Sequence, residues 1–76
     1  MKADVKLDCF GLLCPMPVIN TAKKMKELKI GEVLEVAATD MGIIPDSRAW
    51  CRTTGQEYLG QEEKDGEFRV YIRKLK

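Results

Sequence analysis

Two prolines stand two residues apart in the run Cys14-Pro15-Met16-Pro17, and they restrict the fold more tightly than any other feature of the chain. A proline lacks the backbone N–H and has a fixed φ, so it disrupts strand ladders and helix interiors alike. The first turn of a helix tolerates both prolines, because its amides have no intrahelical partner. A helix is therefore predicted to start here. From Pro15 to about Lys29, Val18, Ala22, Met25 and Leu28 recur at helical spacing, and Gly31 supplies a stop. Lys23, Lys24, Lys26 and Lys29 form a basic stretch, read as a solvated face, with docking of an acidic partner as the alternative.

The rest of the chain falls into place around this helix. Ala3, Val5 and Leu7 alternate with Asp4 and Lys6, which is the period of a strand. Val33 to Ala38 is a short, mostly apolar run that reads as a second, well-covered strand. Strand, helix and strand in this order imply a right-handed crossover with the two strands parallel. Between Ile44 and Thr54, the residues Ser47, Trp50, Cys51 and Thr54 recur at spacings of three and four, with Pro45 and Asp46 suited to a first turn and Gly55 ending the pattern. A second helix follows from this. Glu57 to Lys64 and Glu67 to Leu75 flank Asp65-Gly66 as the arms of a hairpin. The expected fold is α+β: a two-layer βαβαββ sandwich with one four-stranded sheet and both helices on one face, spanning residues 1–76 as a single domain.

Charge and composition exclude several functions. Thirteen basic and twelve acidic residues leave a net charge of +1, which offers little pull toward a nucleic acid and disfavours such a partner. No apolar run approaches the roughly 18 residues of a membrane span, so membrane insertion is not expected either. Met1 to Lys6 has no apolar stretch after its positive residue, as a secretory signal would, and a cytoplasmic location is the expectation. Three cysteines, an odd number, then read as reduced thiols. With no histidine, cysteine–histidine catalysis within the chain is excluded. Cysteines at positions 9, 14 and 51 fit no zinc pattern, so neither a metal nor a cofactor is expected.

Cys14 stands at the position that would cap the first helix. A cysteine there meets the positive end of the helix dipole and free amides, which favour thiolate over thiol. The spacing predicts that the amides of Met16, Val18 and Ile19 face the sulfur, while Pro15 and Pro17 hold the turn rigid and Asp8 and Gly11 shape a polar approach. The same amides would hold the second sulfur of a persulfide. Free cysteine is also a small hydrophobe suited to cores, and the residues alone leave both readings open. Cys51, on the apolar side of the second helix beside Trp50, reads as core. Cys9 lies five residues before Cys14 and reads either as an inert thiol beside the strand or as a resolving thiol able to form a disulfide with Cys14.

The run Leu7-Asp8-Cys9-Phe10-Gly11-Leu12-Leu13-Cys14-Pro15-Met16-Pro17 resembles the signature Leu-Asp-x-x-Gly-Leu-x-Cys-Pro-x-Pro of the TusA-like (SirA-like) sulfur-carrier proteins. The resemblance continues through Gly31-Glu32, Thr39-Asp40, Asp46 and Gly55-Gln56-Glu57. It implies a mixed four-stranded sheet and a carrier, sulfurtransferase-like in chemistry, that holds sulfane sulfur as a persulfide on Cys14. It also implies a donor, either a cysteine desulfurase or a rhodanese-like protein, and a downstream acceptor protein. In the branch that serves tRNA thiolation the residue before the cysteine is typically arginine and the one between the prolines acidic. Here they are Leu13 and Met16, a more apolar surface, and because partner choice rests on such differences the resemblance does not by itself assign that role. Two other functions stay open at this point: a sulfurtransferase that takes sulfur from thiosulfate, and a non-catalytic regulatory or nucleic-acid-binding module on the same fold.

Overall fold

Alternation and helical spacing give the elements expected of them in the computed structural model, which describes residues 2–76. In chain order these are β1 (Val5–Cys9), α1 (Met16–Met25), β2 (Val33–Ala38), α2 (Ile43–Thr54), β3 (Glu57–Lys64) and β4 (Glu67–Arg73). The sheet order is β1-β2-β4-β3, with β1 parallel to β2 and the other neighbours antiparallel. It is the mixed βαβαββ arrangement expected from the sequence. No helix among the described residues is long and apolar enough to cross a membrane.

Side chains on alternate positions of the strands point to one face and meet both helices there. Cys9 of β1, Leu34, Val36 and Ala38 of β2, and Phe68, Val70 and Ile72 of β4 form one apolar cluster with Met25 of α1 and Ile43 and Cys51 of α2. Leu34, Val36, Val70 and Ile72 are fully buried, each removing about 2 kcal/mol worth of apolar surface from water. The opposite face of the sheet carries Lys6, Asp8, Glu35 and Arg69 together with the buried Val33, Ala37 and Tyr71.

Several boundaries differ from the expectation, with α2 starting at Ile43 rather than Ile44 and β4 ending at Arg73 rather than Leu75. Strand β1 begins at Val5 rather than Ala3 and runs on to Cys9. Helix α1 ends at Met25, four residues short of Lys29, although Leu28 remains buried as its spacing requires. The chain from residue 26 to 28 forms turns in which Glu27 N donates to the Lys24 carbonyl and Leu28 N to that of Met25. The Lys74 ammonium, arriving from beyond β4, donates to the Met25 carbonyl at 2.9 Å and the Leu28 carbonyl at 2.7 Å. A cation at a helix C-terminus is favourable, and here it closes the helix early.

One consequence of this topology places the site. Because β1 and β2 are parallel and Cys9 pairs with Ala38, both strands end at the same edge of the sheet. The segments 10–15 and 39–42 therefore leave the sheet side by side.

Candidate thiol site

Cys14 lies exposed in the loop between β1 and α1, one residue before the helix cap, Pro15, to which it is joined by a cis peptide bond. Asp8 and Gly11 lie at the start of the segment that leads to it. The Asp8 carboxylate accepts from the Phe10 amide at 2.9 Å, an Asx-type turn, and Gly11 adopts a φ of 78°, which disfavours side-chain-bearing residues. The Gly11 amide donates to Thr39 Oγ1 at 3.1 Å, fastening the loop to the end of β2.

The groups around the sulfur are not the ones expected. The Met16 amide donates to the Leu13 carbonyl at 2.9 Å, and the Val18 and Ile19 amides both donate to Pro15 O at 3.1 Å. These amides have backbone acceptors, so they form no cradle for the sulfur. Two carboxylates from elsewhere in the chain take their place. The Cys14 amide donates to Asp40 Oδ2 at 3.2 Å, and the thiol donates to Asp46 Oδ2 at 2.9 Å. Asp40 is itself held, its Oδ1 accepting the Gly42 amide at 3.0 Å and its carbonyl the Ile43 amide at 3.1 Å as α2 begins. Asp46 sits in the first turn of α2, its amide bonded to the Gly42 carbonyl at 3.1 Å. Among the described residues neither carboxylate is paired with a cation.

This arrangement reverses the acidity expected from helix position. The hydrogen bond to Asp46 pushes the Cys14 thiol up from its ordinary value, with partial desolvation and the charges of Asp46 and Asp40 acting in the same direction. The folded state holds the proton more tightly than the unfolded chain. The coupling therefore stabilises the fold below the ordinary thiol pKa and is lost as pH rises through the raised value. Alkylation of native Cys14 followed against pH should accordingly rise at a higher pH than that of the urea-unfolded protein. A native midpoint at or below the unfolded one would show that the Asp46 contact does not persist in solution.

The other thiols lie away from solvent. Cys9 is fully buried in the core cluster, and burial first, then the Asp8 charge, pushes its thiol up. Cys9 shares the inward parity of Val5 and Leu7, so its side chain faces the helices rather than the rim, the placement of an inert thiol beside the strand. Cys51 is core, as its spacing implied, and burial pushes its thiol up to about 11. No group of three or more potential ligands among the described residues is placed to hold a metal ion.

Thr39, Asp40 and Asp46 bond to the Cys14 loop, and reading the residues for chemistry missed them; they entered only through the family resemblance. A signal was available, since the ends of two parallel strands share an edge, and the residues after the second belong beside those after the first. The rim they form is apolar outside its carboxylates. Leu13 is 75% exposed, Met41 70% and Met16 42%.

A family model described as sulfurtransferase TusA matches residues 5–74, nearly the whole chain and the whole of this site. The chain belongs to the TusA family. It is 53% identical over 74 residues to YrkF of Bacillus subtilis, a match covering 97% of this chain and 40% of that protein. Against the sulfur carrier protein TusA of Allochromatium vinosum it is 38% identical over 71 residues, with 93% of each chain covered. Its structure superposes on the crystal structure of a SirA-like protein from Desulfitobacterium hafniense with a TM-score of 0.82 at 27% identity, covering 95% of this chain and 99% of the other. This TusA-family chain thus spans less than half the length of YrkF and nearly all of the other two proteins.

Proposed function

We propose that this chain is a sulfur carrier that accepts sulfane sulfur as a persulfide on Cys14 and passes it to an acceptor protein. One observation carries the assignment: of the three thiols, only Cys14 is exposed, and it stands on a loop pinned at three points to the segment after β2 and to α2. Its Sγ attacks the outer sulfur of a donor's persulfide, the donor's S–S bond breaks, and the donor cysteine leaves as a thiolate that takes up the displaced proton. No change in oxidation level is needed, and neither metal nor cofactor enters the step.

Membership of the TusA family implies a sulfur donor and an acceptor in general terms. The site favours a protein donor, of the cysteine desulfurase or rhodanese-like kind, over free thiosulfate. Asp40 and Asp46 flank the sulfur, neither of them paired with a cation among the described residues, and a dianion approaching them is repelled. Leu13, Met16 and Met41 give the rim an apolar surface suited to a protein partner. We further take residues 1–76 to act as one carrier domain in a reducing compartment such as the cytoplasm, where free thiols persist.

Intact-mass analysis after incubation with a cysteine desulfurase and cysteine, or with thiosulfate alone, tests the reading. The expected result is a single added sulfur, removed by a reductant and mapped to Cys14, with the desulfurase loading far faster than thiosulfate. Loading on Cys9 or Cys51, or none from any donor, would reject the assignment.

A further inference from the structure

Resting on that reading, the carboxylates around Cys14 bear on a separate question, namely how tightly the carrier keeps its cargo. An empty Cys14 carries a proton that Asp46 Oδ2 accepts at 2.9 Å, a favourable contact available only to the protonated thiol. A loaded Cys14 carries a persulfide, a stronger acid than a thiol and largely anionic near neutral pH. Its charge would sit beside Asp46 from α2 and beside Asp40 from the segment after β2, both of them carboxylates that accept hydrogen bonds here. The expected amide donors on α1 are occupied: Met16 N, Val18 N and Ile19 N all bond to backbone carbonyls. Nor does α1 bring a compensating charge to this end, since its basic residues Lys23 and Lys24 lie in its last turn.

We propose that Asp46 sets the carrier to give sulfur away: it favours the empty, protonated Cys14 over the loaded, anionic one and so biases the exchange toward the acceptor. The step it biases is balanced. An acceptor thiolate attacks the outer sulfur of the protonated persulfide, a new S–S bond forms on the acceptor, and the Sγ–S bond of Cys14 breaks. Sγ leaves with the electron pair, takes up one proton from solvent and returns to the hydrogen bond with Asp46. The same negative field keeps more of the outer sulfur protonated, and the protonated form is the one that a thiolate can attack. The elevated thiol pKa of Cys14 agrees with this geometry.

The test measures the partition of sulfur between the carrier and a small thiol. Wild type, Asp46→Asn, Asp46→Ala and Glu27→Gln are each equilibrated with glutathione and glutathione persulfide at a fixed ratio, and the loaded fraction is read by intact mass. Glu27→Gln makes the same charge change on an exposed residue paired with Lys24, away from the site. The ratio of loaded to empty protein should rise about threefold in both Asp46 variants, solvent screening of an exposed pair keeping the effect modest, and should not move in Glu27→Gln. Asp46→Ala matters because alanine offers no amide donor to the persulfide, so a rise shared by both variants comes from loss of the carboxylate. Alkylation of the empty proteins by iodoacetamide should quicken in the same two variants. An unchanged or lower ratio in the Asp46 variants, or an equal rise in Glu27→Gln, would overturn the inference while leaving Cys14 as the carrier. A wild-type protein that takes up no sulfur would overturn the carrier reading and this inference with it.

Discussion

Cys14→Ser should abolish sulfur loading completely while leaving the fold and its denaturation midpoint as they are in the wild type. The loss is complete because a serine hydroxyl is neither ionised at neutral pH nor able to form the S–S bond in which the cargo is held. The fold survives because Cys14 is exposed and belongs to no part of the core cluster. Local geometry should survive as well. A serine Oγ can donate to Asp46 Oδ2 as the thiol does, and the backbone amide keeps its bond to Asp40. The variant also counts the remaining thiols: native Cys14→Ser should resist alkylation, since Cys9 and Cys51 are buried, and should take up two alkyl groups once unfolded. Intact-mass measurement with and without denaturant reads both results. Residual persulfide in native Cys14→Ser would move the cargo to another thiol and break the link between exposure and function.

What the sequence made legible follows from the range over which each feature is determined. Strand β2 could be read to the residue because its apolar run is local, and β3 because Asp65-Gly66 fixes the hairpin from within. The start of α1 followed from two prolines, but its end did not, because Lys74 closes it from 49 residues downstream of Met25. Cys14 could be singled out by its neighbours. Its acidity could not, since the groups that set it lie 26 and 32 positions away, at Asp40 and Asp46. A helix dipole is a local inference. Two carboxylates supplied by the topology override it, and the amides that would have opposed them are taken by backbone carbonyls. Cys9 is a different case. Continuing the alternation of Val5 and Leu7 by one more step places it inward, so its burial was within reach of the pattern once the strand was allowed to run two residues further.

Asp40→Ala should slow loading from a protein donor by about tenfold or more, since small misplacements of a reacting group are costly when two partners must align. The Asp40 carboxylate holds two things at once: through Oδ2 the amide of Cys14, and through Oδ1 the amide of Gly42 at the start of α2. Asp46 projects from the first turn of that helix, so removing Asp40 loosens both ends of the thiol–carboxylate contact together. Stability should fall by only about 1 kcal/mol, the usual cost of losing side-chain acceptors near a helix start where water can replace them. Reaction with iodoacetamide, which needs no docking, should change by less than about threefold and in the upward direction, because one of the charges that raise the Cys14 thiol is gone. Opposite signs for the two reactions are the distinguishing feature: a variant that had merely become less stable would not load more slowly and alkylate faster while folded. Asp40→Asn keeps one acceptor oxygen for the two amides and removes the charge, so it should recover part of the loading rate and alkylate like Asp40→Ala. Loading by Asp40→Ala at the wild-type rate, with circular dichroism confirming the fold, would mean that the Gly11–Thr39 and Cys14–Asp46 contacts hold the loop in place without it and that Asp40 acts only on α2.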